Sequence, residues 1–230
     1  MLETVVNDLS INLVEDERKI ALRKFVRSAF YDVLGRFPTD SVREDWVDQI
    51  FTGASPATLV SCLVHSQEFR EKQLFEQYRR FLGRTPNKEG VDFWSGLLSG
   101  GKKQEDVLAA ILSSAEYMQK RGGTNEAFVR AMFLDIVQRR PLYMEAESWV
   151  GLLNSGSATR DDVARDFVTS DEFRKILIQS TYWRMLHRYP EPSAVTDLIE
   201  KFKHGLTLEQ LILNLLSSRE YYRRAISLSR

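Results

Sequence analysis

Few side chains in this sequence have the types and spacing that catalysis or metal binding would need. There are three histidines, His65, His187 and His204, and one cysteine, Cys62. Cys62 and His65 would share one face of a helix, but two ligands fall short of the four that a structural zinc site needs. A Cys–His nucleophile pair would need an orienting group, and none is evident. Since Cys62 lies in an apolar stretch, we expect it to be a buried small hydrophobic residue.

The remaining candidate chemistry is weak. The sequence contains no phosphate-binding glycine loop, dinucleotide fingerprint or HExxH motif. We therefore predict a protein that is not an enzyme and that holds no cofactor and no metal. Two clusters interleave arginine with aromatic residues, a pattern that can bind nucleic acid, but nearby glutamates dilute their charge. We expect these clusters to be interaction surfaces, with residues Arg79, Arg80, Tyr221, Tyr222, Arg223 and Arg224.

The composition is that of a globular protein of one domain or two small ones. The 230 residues are 43% hydrophobic and 28% charged, and 32 basic residues balance 32 acidic ones. This composition excludes a largely disordered chain, a collagen and a disulfide scaffold. Because the net charge is zero, we do not expect the protein as a whole to bind nucleic acid electrostatically. No apolar run is long enough to span a membrane, and the amino terminus lacks a signal-peptide pattern. We expect a cytoplasmic protein as given, or a surface or secreted one if the chain is a piece of a larger protein.

Four segments of the sequence share one pattern, and each ends in Arg-x-Pro. Their prolines are 48, 55 and 49 residues apart, a period of about 50 that is typical of a repeat protein. The arginines of the pattern are Arg36, Arg84, Arg139 and Arg188.

The pattern continues after each proline. A tryptophan follows eight residues later in the first three repeats, and Leu198 takes that place in the fourth. A glycine comes 14 or 15 residues after the proline, and a Ser-x-Glu-aromatic motif ends the repeat. The tryptophans are Trp46, Trp94 and Trp149, and the glutamates are Glu68, Glu116, Glu172 and Glu220.

Each repeat is predicted to be helical. Apolar residues before Arg-x-Pro recur at spacings of three and four, and proline disfavours helical geometry in the residue before it. Further helices are predicted to begin at the capping boxes of Thr159 and Thr207 and at Pro56. The serine of each Ser-x-Glu-aromatic motif is expected to cap the helix that follows it. We predict an all-α protein of four helical units of about 50 residues that stack to close a core.

The spacing of the repeats suggests how they are grouped. The longest gap holds Gly122 and Gly123, which break a helix. We therefore predict an amino-terminal arm (1–20), a first pair of repeats (21–121) and a second pair (122–230). One continuous solenoid with a longer loop is the alternative.

The recurring residues are predicted to be structural anchors. A buried arginine needs a partner, so we expect each recurring arginine to pair with a recurring glutamate within or between units. The alternative is a solvated pair that contributes little. The tryptophans are expected to anchor the core rather than to form ligand platforms.

The second repeat carries a family resemblance. Leu82-Gly83-Arg84-Thr85-Pro86, Gly90-Val91-Asp92-Phe93-Trp94, Leu97-Leu98-Ser99-Gly100 and Ser114-Ala115-Glu116-Tyr117 together resemble the bacterial domain-of-unknown-function family 4214. The other repeats match in part, so the resemblance covers roughly 22–225. It implies a bacterial protein, in a family found in surface and secreted proteins and beside glycosyltransferase modules, with no general activity. Gln138 and His187 replace the turn glycine, so we expect their turns to differ in geometry.

A fainter likeness is to the helical domain of phycobilisome linkers. Its closest pieces are Ser170-Asp171-Glu172-Phe173 and Asn125-Glu126-Ala127-Phe128-Val129. Such linkers scaffold pigment proteins and are often basic, whereas this chain has zero net charge.

The sequence thus favours a non-catalytic helical repeat scaffold, or protein–protein interaction module, of a larger bacterial assembly. A protein partner is expected and nucleic acid is not. One alternative is a carbohydrate- or cell-envelope-associated accessory module of a secreted or glycosyltransferase system, which tryptophans exposed in a groove would favour. A phycobilisome-linker-like assembly protein is the other alternative.

Overall fold

The computed structural model describes residues 15–227, and this part of the chain is helical without a strand. The predicted all-α class is confirmed. None of the described helices is long and apolar enough to cross a membrane. A π-helical turn, Tyr78–Leu82, follows the fourth helix. The α-helices are α1 (Glu15–Leu34), α2 (Asp40–Phe51), α3 (Pro56–Val64), α4 (Gln67–Gln77), α5 (Lys88–Ser99), α6 (Gln104–Ser113), α7 (Ala115–Lys120), α8 (Asn125–Asp135), α9 (Tyr143–Asn154), α10 (Arg160–Thr169), α11 (Asp171–Leu186), α12 (Pro192–Lys203), α13 (Leu208–Leu216) and α14 (Arg219–Ser227).

Helices begin at the capping residues and the proline that the sequence predicts. Thr159 and Thr207 form capping boxes at the starts of α10 and α13, and Pro56 is the first residue of α3. The predicted amino-terminal arm (1–20) lies largely outside the described residues, but its last six residues already belong to α1. The first helix of the first repeat therefore begins earlier than the sequence indicates.

The described residues group into two compact units, which we call lobes. The first lobe takes the described residues of Met1–Arg70 and Ile178–Arg230, and the second lobe is Glu71–Leu177. The first lobe thus joins the first repeat to the fourth, and the second lobe joins the second repeat to the third. This grouping differs from the predicted division at residues 121 and 122, which falls inside the second lobe.

Helix contacts within each lobe explain the grouping. In the second lobe, α6 of the second repeat packs against α10 of the third. In the first lobe, α3 of the first repeat packs against α13 of the fourth, and α14 packs against α1. The long gap at Gly122 and Gly123 is a helix connection within a lobe, and both glycines adopt a positive φ there.

A tyrosine–aspartate contact joins the two repeats of each lobe. In the second lobe, the hydroxyl of Tyr117 donates to Oδ2 of Asp135 at 2.8 Å, and Arg121 pairs with the same carboxylate at 2.8 Å. In the first lobe, Tyr221 donates to Oδ2 of Asp32 at 3.0 Å, and Arg224 pairs with it. Burial raises the pKa of both tyrosines, so both hydroxyls remain protonated donors.

Cys62 is exposed, contrary to the expectation of burial. The buried face of α3 consists of Leu59, Val60, Leu63 and Val64, which are spaced by four residues in two rows. Position 62 lies between these rows in sequence but on the opposite side of the helix. An apolar stretch alone did not determine which face Cys62 occupies.

Candidate functional site

Each recurring arginine meets the recurring glutamate of its own repeat. In the second repeat, Nε and Nη2 of Arg84 donate to the two carboxylate oxygens of Glu116 at 2.8 and 2.6 Å. Nη1 donates to the carbonyl of Thr85 at 3.1 Å, and the guanidinium lies 5.2 Å from the ring centroid of Tyr78. We call this set the arginine clasp. The equivalent sets are Arg36 with Glu68, Phe37 and Phe30; Arg139 with Glu172, Arg140 and Phe133; and Arg188 with Glu220, Tyr189 and Tyr182.

The recurring serine positions the glutamate of each clasp. Ser114 Oγ accepts from the backbone N–H of Tyr117 at 3.2 Å and donates to the carbonyl of Ile111 at 2.7 Å. Glu116 therefore lies in the first turn of α7, where the helix dipole favours a carboxylate. The hydrogen bond from Arg84 holds the pKa of Glu116 below its usual range. The clasp thus ties the Arg-x-Pro turn to the start of the next helix.

The residue before each clasp arginine adopts a left-handed conformation. Gly35 and Gly83 have φ of 76° and 65°, and Gln138 and His187 have φ of 57° and 55°. The expectation of a different turn in the third and fourth repeats is therefore wrong. The clasp holds the same backbone geometry in all four repeats, at a conformational cost where the residue is not glycine.

The tryptophans are half-buried. Trp94 and Trp149 pack against the core of the second lobe, and Trp94 Nε1 donates to the hydroxyl of Tyr78 at 2.9 Å. Trp46 is half-buried in the first lobe. Each indole therefore keeps part of its surface in contact with solvent.

The two predicted interaction clusters divide into surface and core. Arg79, Arg80 and Arg223 are exposed, and Arg80 donates to the carbonyl of Asp135 at 2.8 Å. Tyr221 and Tyr222 are buried, so they belong to the core of the first lobe rather than to an interaction surface. They lie on the face of α14 that packs on α1, where Tyr221 meets Phe25 edge-on at 6.1 Å.

The second lobe contains a groove of about 440 Å³ between α9 and α10. Its polar lining includes Arg139, Glu172 and Asp166. The fold brings four residues of the repeat pattern together here: Arg139, Trp149, Ser170 and Glu172. The pattern gave no sign of Glu145, Ser148, Leu152 or Asp166. The full lining of the groove is Phe133, Val137, Arg139, Glu145, Ser148, Trp149, Leu152, Asp166, Phe167, Ser170 and Glu172.

Arg139 differs from the other clasp arginines because it binds two carboxylates. Besides Glu172, it donates from Nη1 and Nη2 to the two oxygens of Glu145, each at 2.8 Å. Glu145 also accepts from the backbone N–H of Leu142 at 2.8 Å, which caps α9 in place of the missing side-chain cap. The hydrogen bonds from Arg139 and Leu142 lower the pKa of Glu145 to about 2. Both glutamates of the groove are therefore ionised at neutral pH.

The two hydroxyl groups that line the groove bond to backbone carbonyls. The hydroxyl of Ser148 donates to the carbonyl of Met144 at 2.8 Å, and the hydroxyl of Ser170 donates to the carbonyl of Phe167 at 2.7 Å. Each hydroxyl is thus engaged within its own helix region rather than by a base.

Three consecutive apolar residues stand beside the groove. Leu142, Tyr143 and Met144 are 70%, 76% and 70% exposed. We call them the apolar rim. Glu145 and Ser148, which line the groove, hydrogen-bond the backbone of Leu142 and Met144, so the rim adjoins the groove. The equivalent positions of the other repeats carry mainly polar residues: Thr39, Asp40 and Ser41; Asn87, Lys88 and Glu89; Glu191, Pro192 and Ser193.

The Cys–His pair of the sequence lies elsewhere. His65 caps the end of α3, and its Nδ1 lies 2.9 Å from the carbonyl oxygen of Ser61. In residues 15–227, no group of three or more His, Cys, Asp or Glu residues could hold a metal ion.

Comparison with known proteins gives a match to one family model and no activity. The model of a domain of unknown function, DUF4214, matches residues 76–121 and 109–177. No curated protein and no solved structure matches the chain. The matched residues nearly coincide with the second lobe and cover less than the 22–225 over which the motifs resemble the family. This match confirms, over residues 76–177, the resemblance to the DUF4214 family that the motifs predict.

Proposed function

We propose that this protein is a non-catalytic helical repeat scaffold, an interaction module that binds another protein through the groove and the apolar rim. The apolar rim is the observation that carries the proposal. Apolar surface left in water is unfavourable by about 25 cal/mol per Å², so a run of three such residues beside a groove typically marks a contact surface.

The chemistry of the groove supports a binding role. Arg139 holds the pKa of Glu145 and of Glu172 below the usual range, and depressed pKa values suit ion pairing better than proton transfer near neutral pH. The arginine clasps and serine caps give each repeat a fixed turn, so they present the surface on a rigid support.

A rim exchange tests the proposal. The rim is replaced with the residues of the first repeat, Leu142→Thr, Tyr143→Asp and Met144→Ser. A matched control makes the same sequence in the second repeat, Asn87→Thr, Lys88→Asp and Glu89→Ser. Each tagged protein is incubated with native extract, and co-purified proteins are quantified by mass spectrometry. We expect at least one stoichiometric partner that the rim variant loses and the control keeps; equal recovery by both variants would contradict the proposal.

Exposed aromatic residues in the first lobe favour a second candidate, a carbohydrate-associated module. Trp183 and Tyr189 are 54% and 63% exposed and are stacked, with ring centroids 5.4 Å apart. Tyr31 and Phe37 form the same arrangement in the first repeat, with centroids 5.2 Å apart. Such faces can receive the apolar face of a ligand ring. A glycan array, followed by fluorescence titration of the native protein and of Trp183→Ala, tests this candidate; the absence of any bound glycan would contradict it.

A further inference from the structure

We propose that the groove receives a cationic amphipathic helix of a partner protein. Its apolar face would enter the groove and cover the apolar rim, while a lysine or arginine at its edge would pair with Asp166. This inference rests on the proposed function and names the chemistry of the partner.

The geometry of the groove is that of a helix-binding surface. From α9 it is lined by residues at positions 145, 148, 149 and 152, which follow the i, i+3, i+4, i+7 spacing of one helix face. From α10 it is lined by Asp166 and Phe167, and Phe133 of α8 contributes a further apolar wall. Trp149 and Phe167 lie with ring centroids 5.7 Å apart. A groove with apolar walls between two helices accepts the apolar face of a third.

The charge at the groove determines which sign of charge the partner should carry. Asp166 is exposed, and it forms no ion pair with any residue in the described part of the chain. Arg139, the one cation that lines the groove, is already bound by both Glu145 and Glu172. The lining therefore carries three carboxylates and one guanidinium. An unpaired carboxylate beside apolar walls favours a cationic side chain and repels an anionic one.

The sequence around the groove adds little net charge to this field. Residues 139–175, which include the groove lining from Arg139 to Glu172, contain seven acidic and six basic residues. The charge that favours a cationic partner is therefore that of Asp166 in the groove itself.

The test uses two labelled synthetic peptides of 18 residues with the same leucine face. One peptide carries lysine on its polar face, and the other carries glutamate. Binding to the full chain is measured by fluorescence anisotropy at low and high salt. We expect the lysine peptide to bind at least about tenfold more tightly than the glutamate peptide, with affinity that falls as salt rises.

Two single-charge variants localise the binding. Asp166→Asn removes the unpaired carboxylate of the groove and should weaken the lysine peptide by about three- to tenfold. Asp197→Asn removes an exposed carboxylate from α12 in the first lobe and should leave the affinity unchanged. A structural defect would lower the melting temperature of Asp166→Asn below that of Asp197→Asn, whereas loss of a contact alone would not.

Several results would overturn the inference. They are failure of the lysine peptide to bind, equal binding of the two peptides, and an Asp166→Asn affinity equal to that of the parent. A dimer in light scattering that Tyr143→Ser dissociates would instead assign the surface to a second copy of this chain. If the rim exchange still abolished capture of a partner, the proposed function would stand and only the cationic helix would be wrong.

Discussion

The arginine clasp is the feature that recurs most closely at the scale of single residues. Four guanidiniums make the same bidentate contact with a glutamate 32 or 33 residues later and the same contact with the following carbonyl. The spacing of arginine and glutamate allowed the pairing to be expected, but not which glutamate each arginine would choose. The second carboxylate on Arg139 was not foreseen, because Glu145 has no equivalent in the repeat pattern.

A double-mutant cycle measures the coupling free energy between the arginine and the glutamate of a clasp. Arg84→Met, Glu116→Gln and their combination should give a coupling free energy of about 0.5–1 kcal/mol at pH 7, since both side chains are about one-third or more exposed. Urea unfolding of the four proteins measures it. No resolvable coupling would show that the clasp is a solvated pair of little weight.

The same cycle has a defined pH dependence. The folded-state pKa of Glu116 is depressed by Arg84, so its contribution is fully present above the ordinary glutamate pKa and is lost as pH falls through the folded pKa. Repeating the cycle at pH 3 should therefore reduce the coupling. An unchanged coupling at pH 3 would argue against an ionic origin.

The left-handed turn predicts that substitutions at two equivalent positions change the stability of the protein in opposite directions. Gln138→Gly should stabilise the protein by about 0.5–1 kcal/mol, because glycine relieves the left-handed strain at some cost in unfolded-chain entropy. Gly83→Ala should destabilise it by about 1 kcal/mol through the backbone alone, since a Cβ at Gly83 meets no atom within 4 Å. Urea midpoints measure both changes. Stabilisation by the alanine, or destabilisation by the glycine, would contradict the shared geometry.

At the scale of helices, most beginnings and ends follow from local chemistry. Capping boxes, the proline of α3 and the serine before each aromatic could be assigned because a cap depends on a few adjacent residues. The glycine that ends α5 in the second repeat was predicted one residue too early. The sequence pointed to Gly100, but Gly100 has φ of −79° and the next residue, Gly101, has φ of 93°. Position 101 is 15 residues after its proline, as in the other repeats, so the regular spacing was the missed signal.

The serine caps predict a further stability change. Ser114→Ala should cost about 1 kcal/mol, because the backbone N–H of Tyr117 loses its acceptor at the start of α7. Ser99→Ala, at the exposed end of α5, is the matched control and should change stability by less than about 0.5 kcal/mol. Thermal or urea unfolding compares them. Equal effects would mean that the cap is not a local determinant of the fold.

At the scale of the whole molecule, the all-α class could be predicted from the sequence, whereas the grouping of the repeats into lobes could not. A long gap suggests a boundary only if contacts do not cross it, and sequence spacing does not report contacts. A better signal was present in side-chain types. Only the second and fourth repeats end in Ser-x-Glu-Tyr, and the first and third carry an aspartate four residues before the arginine. Those tyrosines and aspartates are the ones that meet inside the lobes.

The grouping predicts which fragment folds. A fragment of residues 71–177 contains the complete core of the second lobe and should be helical and unfold cooperatively. A fragment of residues 122–230 splits both lobes and should lack a cooperative transition. Circular dichroism with thermal unfolding compares the two. A cooperative 122–230 fragment beside an unfolded 71–177 fragment would support the division at residue 122 instead.

Site-specific photo-crosslinking tests whether the apolar rim of the third repeat contacts a partner protein. One protein carries a photoreactive amino acid at position 143, and a second carries it at the equivalent position 88 of the second repeat. We predict that the 143 protein forms one discrete adduct with a partner in its native extract and that the 88 protein does not. If position 143 gave no adduct, or if both positions gave the same adducts, the apolar rim would not be the contact surface.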